Sequence, residues 1–149
     1  MNLQAQVMEK MKEAMKAKDT IALQALRAVK SAFLLAKTEK GAQDELTAEQ
    51  EIKIIQKQVK QRKDSAAIFL QQGREDLATP ELQEIAILEQ FLPKALSESE
   101  IATIVIQTIK ELGASGMQDM GKVVGVVSKK MVGQADGKMI ADLIKKHLA

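Results

Sequence analysis

The sequence predicts an all-α protein, and three observations carry that expectation. Apolar residues recur every three or four positions along most of the chain, the spacing of one helix face. A Ser or Thr followed three positions later by Glu or Gln, the capping box that opens a helix, stands before three of these stretches. Aromatic residues are 2% of the chain, Phe33, Phe69 and Phe91 alone, so the core must be Leu, Ile, Val, Met and Ala, which suits helices packed on helices. No stretch reads as a strand, no internal repeat is visible, and no apolar run is long enough to cross a bilayer.

Leu3, Val7, Met11 and Ala14 define a first helix ending near Lys18. Asp19 caps a second, with the stripe Leu23, Leu26, Val29, Phe33 and Ala36, which runs out in the polar stretch from Glu39 to Glu45. Thr47 and Gln50 form a capping box for the longest helix, Ala48 to Gln72, with Gly73 as its stop. At 1.5 Å per residue it should be roughly 37 Å long. Glu75 to Ala78 reads as a connector. Thr79 then reads as an N-cap with Pro80 at the first helical position, where its missing N–H costs nothing. Leu82, Ile85, Leu88, Phe91 and Leu92 follow as the fourth apolar face.

Pro93 breaks that pattern, and Leu92 before it is a natural last helical residue. Ser97 and Glu100 open a fifth helix through Leu112, where periodicity and cap outweigh the β-branched content. Gly113 to Gly116 is a turn. Ser115 and Gln118 form the third box, opening a helix through Met131, and Asp136 caps a last helix bearing Met139, Ile140, Leu143, Ile144 and Leu148. The expected organisation is an N-terminal lobe of about four helices, 1–93, followed by a small three-helix lobe, 94–149.

Composition narrows the chemistry. There is no cysteine, hence no disulfide and no thiol nucleophile, which fits a cytoplasmic location. His147 is the only histidine and sits at the C-terminal end, so Ser-His-Asp work would need it fixed in place, no His/Cys metal cluster exists, and lysine- or carboxylate-based chemistry stays open. No catalytic constellation, cofactor, metal or membrane partner is expected. Without Trp or Tyr to stack on bases, any RNA contact should be to backbone and shape, through Lys, Arg and helix N-termini.

Charge is sorted along the chain although the net charge is only +2. Glu75 to Glu100 holds seven acids against Lys94, while Lys122 to Ala149 holds six lysines against Asp136 and Asp142. Sorted charge of this kind guides a polyanion to one face, and it also occurs on ordinary solvated surfaces. Arg62 interrupts the apolar stripe Ile52, Ile55, Val59, Ala66 and Phe69. It is either stretched to solvent along its stem, paired with a buried acid, or the mark of a binding groove. Gly121 and Gly125, four apart on one helix face, imply a close approach, either by another part of the chain or by an external partner. Gly116 to Val123 imitates a phosphate-binding loop but ends in valine rather than a hydroxyl residue and follows no strand.

Several motifs in order carry a resemblance over essentially the whole chain: Lys57 to Ser65 (KQVKQRKDS), Gly73 to Leu77 (GREDL), Leu88 to Pro93 (LEQFLP), Gly113-Ala-Ser with Met120-Gly-Lys-Val, and Ala135-Asp-Gly137 before a lysine-rich end. Together they resemble the GatB/YqeY family. Its members are free-standing proteins or the tail of the B subunit of glutamyl/aspartyl-tRNA amidotransferase. The resemblance implies a helical lobe followed by a small helical lobe, a role in binding the tRNA body, and a family label of carbon–nitrogen ligase with glutamine as amido-N-donor. The ligase chemistry belongs to other parts of that enzyme. The implied partners are tRNA and an amidotransferase or other translation protein. Arg62, Gly121, Lys122, Gly125, Lys129, Lys130, Lys145 and Lys146 are the expected RNA contacts, the lysines and Arg62 on phosphates and the glycines permitting close approach. The alternative is a protein–protein interaction module with no RNA role.

Overall fold

The long middle helix and its neighbour organise the first half of the chain. The computed structural model describes residues 2–41 and 45–149, so part of the polar stretch from Glu39 to Glu45 lies outside the described residues. Four helices form one compact unit, Met1–Leu92: α1 (Leu3–Ala17), α2 (Thr20–Lys40), α3 (Ala48–Gln71) and α4 (Glu75–Glu89). Three form a second, Pro93–Ala149: α5 (Glu98–Leu112), α6 (Met120–Lys130) and α7 (Gly137–Leu148), with a 3-10 turn at Met117–Asp119 before α6. No strand occurs among the described residues, as the periodicity predicts.

Each start is explained locally. Asn2 and Asp19 accept from Ala5 and Ala22 amides at 2.8 and 3.0 Å, and Lys18 between α1 and α2 takes a left-handed conformation. The Thr47–Gln50 and Ser97–Glu100 boxes close reciprocally. Gly113 ends α5 at φ 61°, a conformation that glycine adopts without a Cβ penalty. Ser97→Ala should therefore destabilise the second unit by about 1 kcal/mol, read by urea unfolding.

Two starts differ from the sequence expectation. α4 begins at Glu75, one turn earlier, so Thr79 and Pro80 lie inside the helix and Thr79 donates its hydroxyl to the Glu75 carbonyl at 2.8 Å. Ala78, 1% exposed, draws this turn onto the core, and packing outweighs the lost hydrogen bond at Pro80. Arg74 grips Asp76 through two bonds of 3.0 Å, which hold the Asp76 carboxyl below the usual carboxylate range. That contact is present at neutral pH and lost as pH falls through the depressed value. The second difference is at α6. Ser115 caps nothing with its side chain; its amide instead donates to Asp119 Oδ2 at 2.9 Å, and Gly116 at φ 75° leads into the 3-10 turn.

The core of the first unit contains Val7, Met11, Leu26, Val29, Phe33, Ile55, Val59 and Leu88, with α3 packed chiefly along α4. In the second unit Ile101, Val105, Val123, Val127, Met131, Ile140 and Ile144 join the three helices. Burying each such side chain contributes about 1.5–3 kcal/mol.

Candidate nucleic-acid interface

Helix α6 has two faces of opposite character. Val123 and Val127 are fully buried, and with Met131 they turn one side to α5 and α7. Gly121 and Gly125 fall on the opposite side and are exposed. A Cβ built on either would meet nothing within 4 Å. Intramolecular packing therefore does not account for these glycines, although each weakens the helix by about 1 kcal/mol relative to alanine. Lys122 and Lys129, seven apart on one side of the helix, lie beside them. Both are exposed, and neither has an ion-pair partner among the described residues. Neither the 3-10 turn nor α6 has a side-chain cap, and the Asp119 and Met120 amides donate to the Gly116 and Met117 carbonyls instead.

Lys130, next in sequence, turns the other way. Its Nζ donates to Thr108 Oγ1 at 2.9 Å and meets Glu111 Oε2 at 3.3 Å, tying α6 to α5. Thr108 is fully buried and donates in turn to the Ile104 carbonyl at 2.7 Å. Lys145 and Lys146 are exposed in the last turn of α7, where the helix dipole favours cations. His147 is exposed beside them.

Arg62 lies in the first unit and has a different environment. Its Nε donates to Glu84 Oε2 at 3.2 Å, and its Nη1 to the Gln58 carbonyl and Gln58 Oε1 at 3.1 and 2.8 Å. The two side chains are 13% and 9% exposed. Of the three roles its sequence position allowed, pairing with a buried acid is the one observed. Sequence reasoning missed Glu84 because the apolar face of α4 was drawn through Leu82. That residue is 49% exposed, whereas Glu84 is 7% exposed and stands four before the buried Leu88. The available signal was a pair of misfits of opposite sign, one in each of two consecutive apolar helix patterns.

No group of three or more His, Cys, Asp or Glu residues able to hold a metal occurs among the described residues, and no helix there is long and apolar enough to cross a membrane. The phosphate-loop look-alike from Gly116 to Val123 follows helix α5 rather than a strand.

Comparison with known proteins adds the context. Residues 4–148 match the family model described as Yqey-like protein. A protein of Clavispora lusitaniae named altered inheritance of mitochondria protein 41, mitochondrial, is 34% identical over 124 residues, which cover 81% of this chain and 69% of that protein. The E subunit of glutamyl-tRNA(Gln) amidotransferase of Sulfurisphaera tokodaii is 34% identical over 77 residues, 49% of this chain but only 12% of that protein.

Proposed function

The chain belongs to the Yqey-like family, and from that premise we propose that it is a tRNA-binding accessory module, without a catalytic centre of its own. The partial match to an amidotransferase component whose name includes a tRNA supports a translation-related partner. The observation that carries the reading is the exposed face of α6, where Gly121 and Gly125 leave the helix backbone bare beside Lys122 and Lys129. A sugar-phosphate backbone fits that surface. It is anionic, it can approach a helix lacking Cβ atoms, and it requires none of the aromatic platforms the chain lacks. Lys145 and Lys146 extend the basic set, and Lys130 serves chiefly to hold α6 on α5. Arg62, engaged by Glu84, is left out of the contact set. The working location is the cytoplasm, while the Clavispora relative is named as mitochondrial.

The glycines give a test in which stability and binding move in opposite directions. Gly121→Ala and Gly125→Ala should each stabilise the second unit by about 1 kcal/mol, because helix propensity improves and nothing is crowded. The same substitutions should weaken tRNA binding, read by filter binding at low salt. If the double variant binds tRNA as well as the parent chain, close approach at α6 is wrong.

A further inference from the structure

The chain passes from one unit to the other at Leu92–Pro93, and it is fastened on both sides of that point. On the first side Phe91 is buried, Leu92 packs against the same core, and their amides donate to the Leu88 and Glu89 carbonyls at 3.2 and 3.0 Å. On the second side Gln134, in the turn after α6, holds the chain twice. Its side-chain amide donates to the Lys94 carbonyl at 3.2 Å, and its backbone carbonyl accepts from the Leu96 amide at 2.9 Å. Gln134 is itself tied to the end of α6, since its amide donates to the carbonyl of the buried Met131 at 2.9 Å. Leu96 packs against the core of the second unit, whereas Lys94 and Ala95 are exposed. Among the described residues it is therefore the Gln134 side chain, and not packing, that orders the Lys94 carbonyl.

Few soft torsions remain between these anchors. The proline ring fixes φ of Pro93, and a residue before proline is confined to extended ψ, so Leu92 contributes little freedom. Peptide planes are rigid. What is left is ψ of Pro93 with φ and ψ of Lys94. Without the Gln134 side chain the next fixed plane is the one carrying the Leu96 amide, and both torsions of Ala95 become free as well. We propose that Gln134 is a strap that sets the length of the joint between the two units. Closed, it confines reorientation to Pro93 and Lys94; open, it lets reorientation spread to Ala95. The bond joins neutral groups at an exposed site, so opening it costs little beside unfolding either unit. The inference does not rest on the tRNA reading.

The test is 15N relaxation of the full chain, comparing the parent with Gln134→Ala and Gln134→Glu. Both variants lose the donor to Lys94 and keep the backbone carbonyl that holds Leu96, and glutamate preserves the size of the side chain. The Ala95 amide shares a peptide plane with the Lys94 carbonyl, so it reports the strap directly. Its order parameter should be about 0.85 in the parent chain and fall below about 0.6 in both variants. Leu96 should keep its parent value, which separates an opened strap from a disordered turn. The amides of α5 and α7 should show a shorter tumbling time in the variants, because a longer joint lets the second unit turn more freely. An Ala95 amide already below about 0.6 in the parent chain, or unchanged in both variants, overturns the proposal. So does a loss of order that reaches Leu96 equally, which would make Gln134 a general support of its turn.

Discussion

Replacing Lys122 and Lys129 together by glutamate is expected to weaken tRNA binding on the order of a hundredfold at physiological salt. Each lysine is exposed and unpaired, so each is free to displace a counterion from a phosphate. Losing two such contacts should also lower the slope of log affinity against log salt by about two. Reversing the charge adds repulsion that simple removal would not, so the alanine pair should be milder and show the same slope change. Stability should hardly move, because neither side chain contributes to the core. Lys130→Ala makes the contrast. It removes the contacts to Thr108 and Glu111, so its effect should fall more on the stability of the second unit than on RNA affinity. A double glutamate variant that binds with unchanged affinity and slope would place the RNA elsewhere.

Arg62→Ala is expected to destabilise the first unit by about 3 kcal/mol, because it strands the Glu84 carboxylate in a site where that side chain is only 9% exposed. For a unit of this size the loss corresponds to a fall in Tm of roughly 12–24 °C. The double variant Arg62→Met/Glu84→Leu should recover most of it, since apolar replacement of both members of a buried pair removes the desolvation cost together with the attraction. Unfolding by urea, followed by circular dichroism and by hydrogen exchange of α3 and α4 amides, reads both variants. A loss below about 1 kcal/mol in the single variant would mean that the pair behaves as an exposed one.

Most of the fold was legible because its signals are local. Thr47 with Gln50, Ser97 with Glu100, Asp19 and Asp136 cap their helices as their sequence spacing indicates. Thr79 and Ser115 misled for a shared reason. A hydroxyl residue can bond a neighbouring carbonyl or leave capping to another group, and which it does depends on packing beyond its own neighbourhood. Buried Ala78 decided the first case, and the left-handed Gly116 with the Asp119 carboxylate decided the second. The candidate surface was legible in part. The lysines and glycines of α6 were visible as residues. That Gly121 and Gly125 face open space while Lys130 folds back onto α5 follows from how three helices pack, which periodicity alone does not specify. Arg62 was recognisable as a misfit, but its partner lies 22 residues away on another helix.

Contact between the bare face of α6 and an RNA backbone is open to direct measurement. Titrating tRNA into the 15N-labelled chain at low salt tests it most directly. The amides of Gly121, Lys122, Gly125 and Lys129 are expected to shift first and most, and added salt to reverse the shifts. Perturbations that leave α6 untouched, or binding that is indifferent to salt, would contradict it.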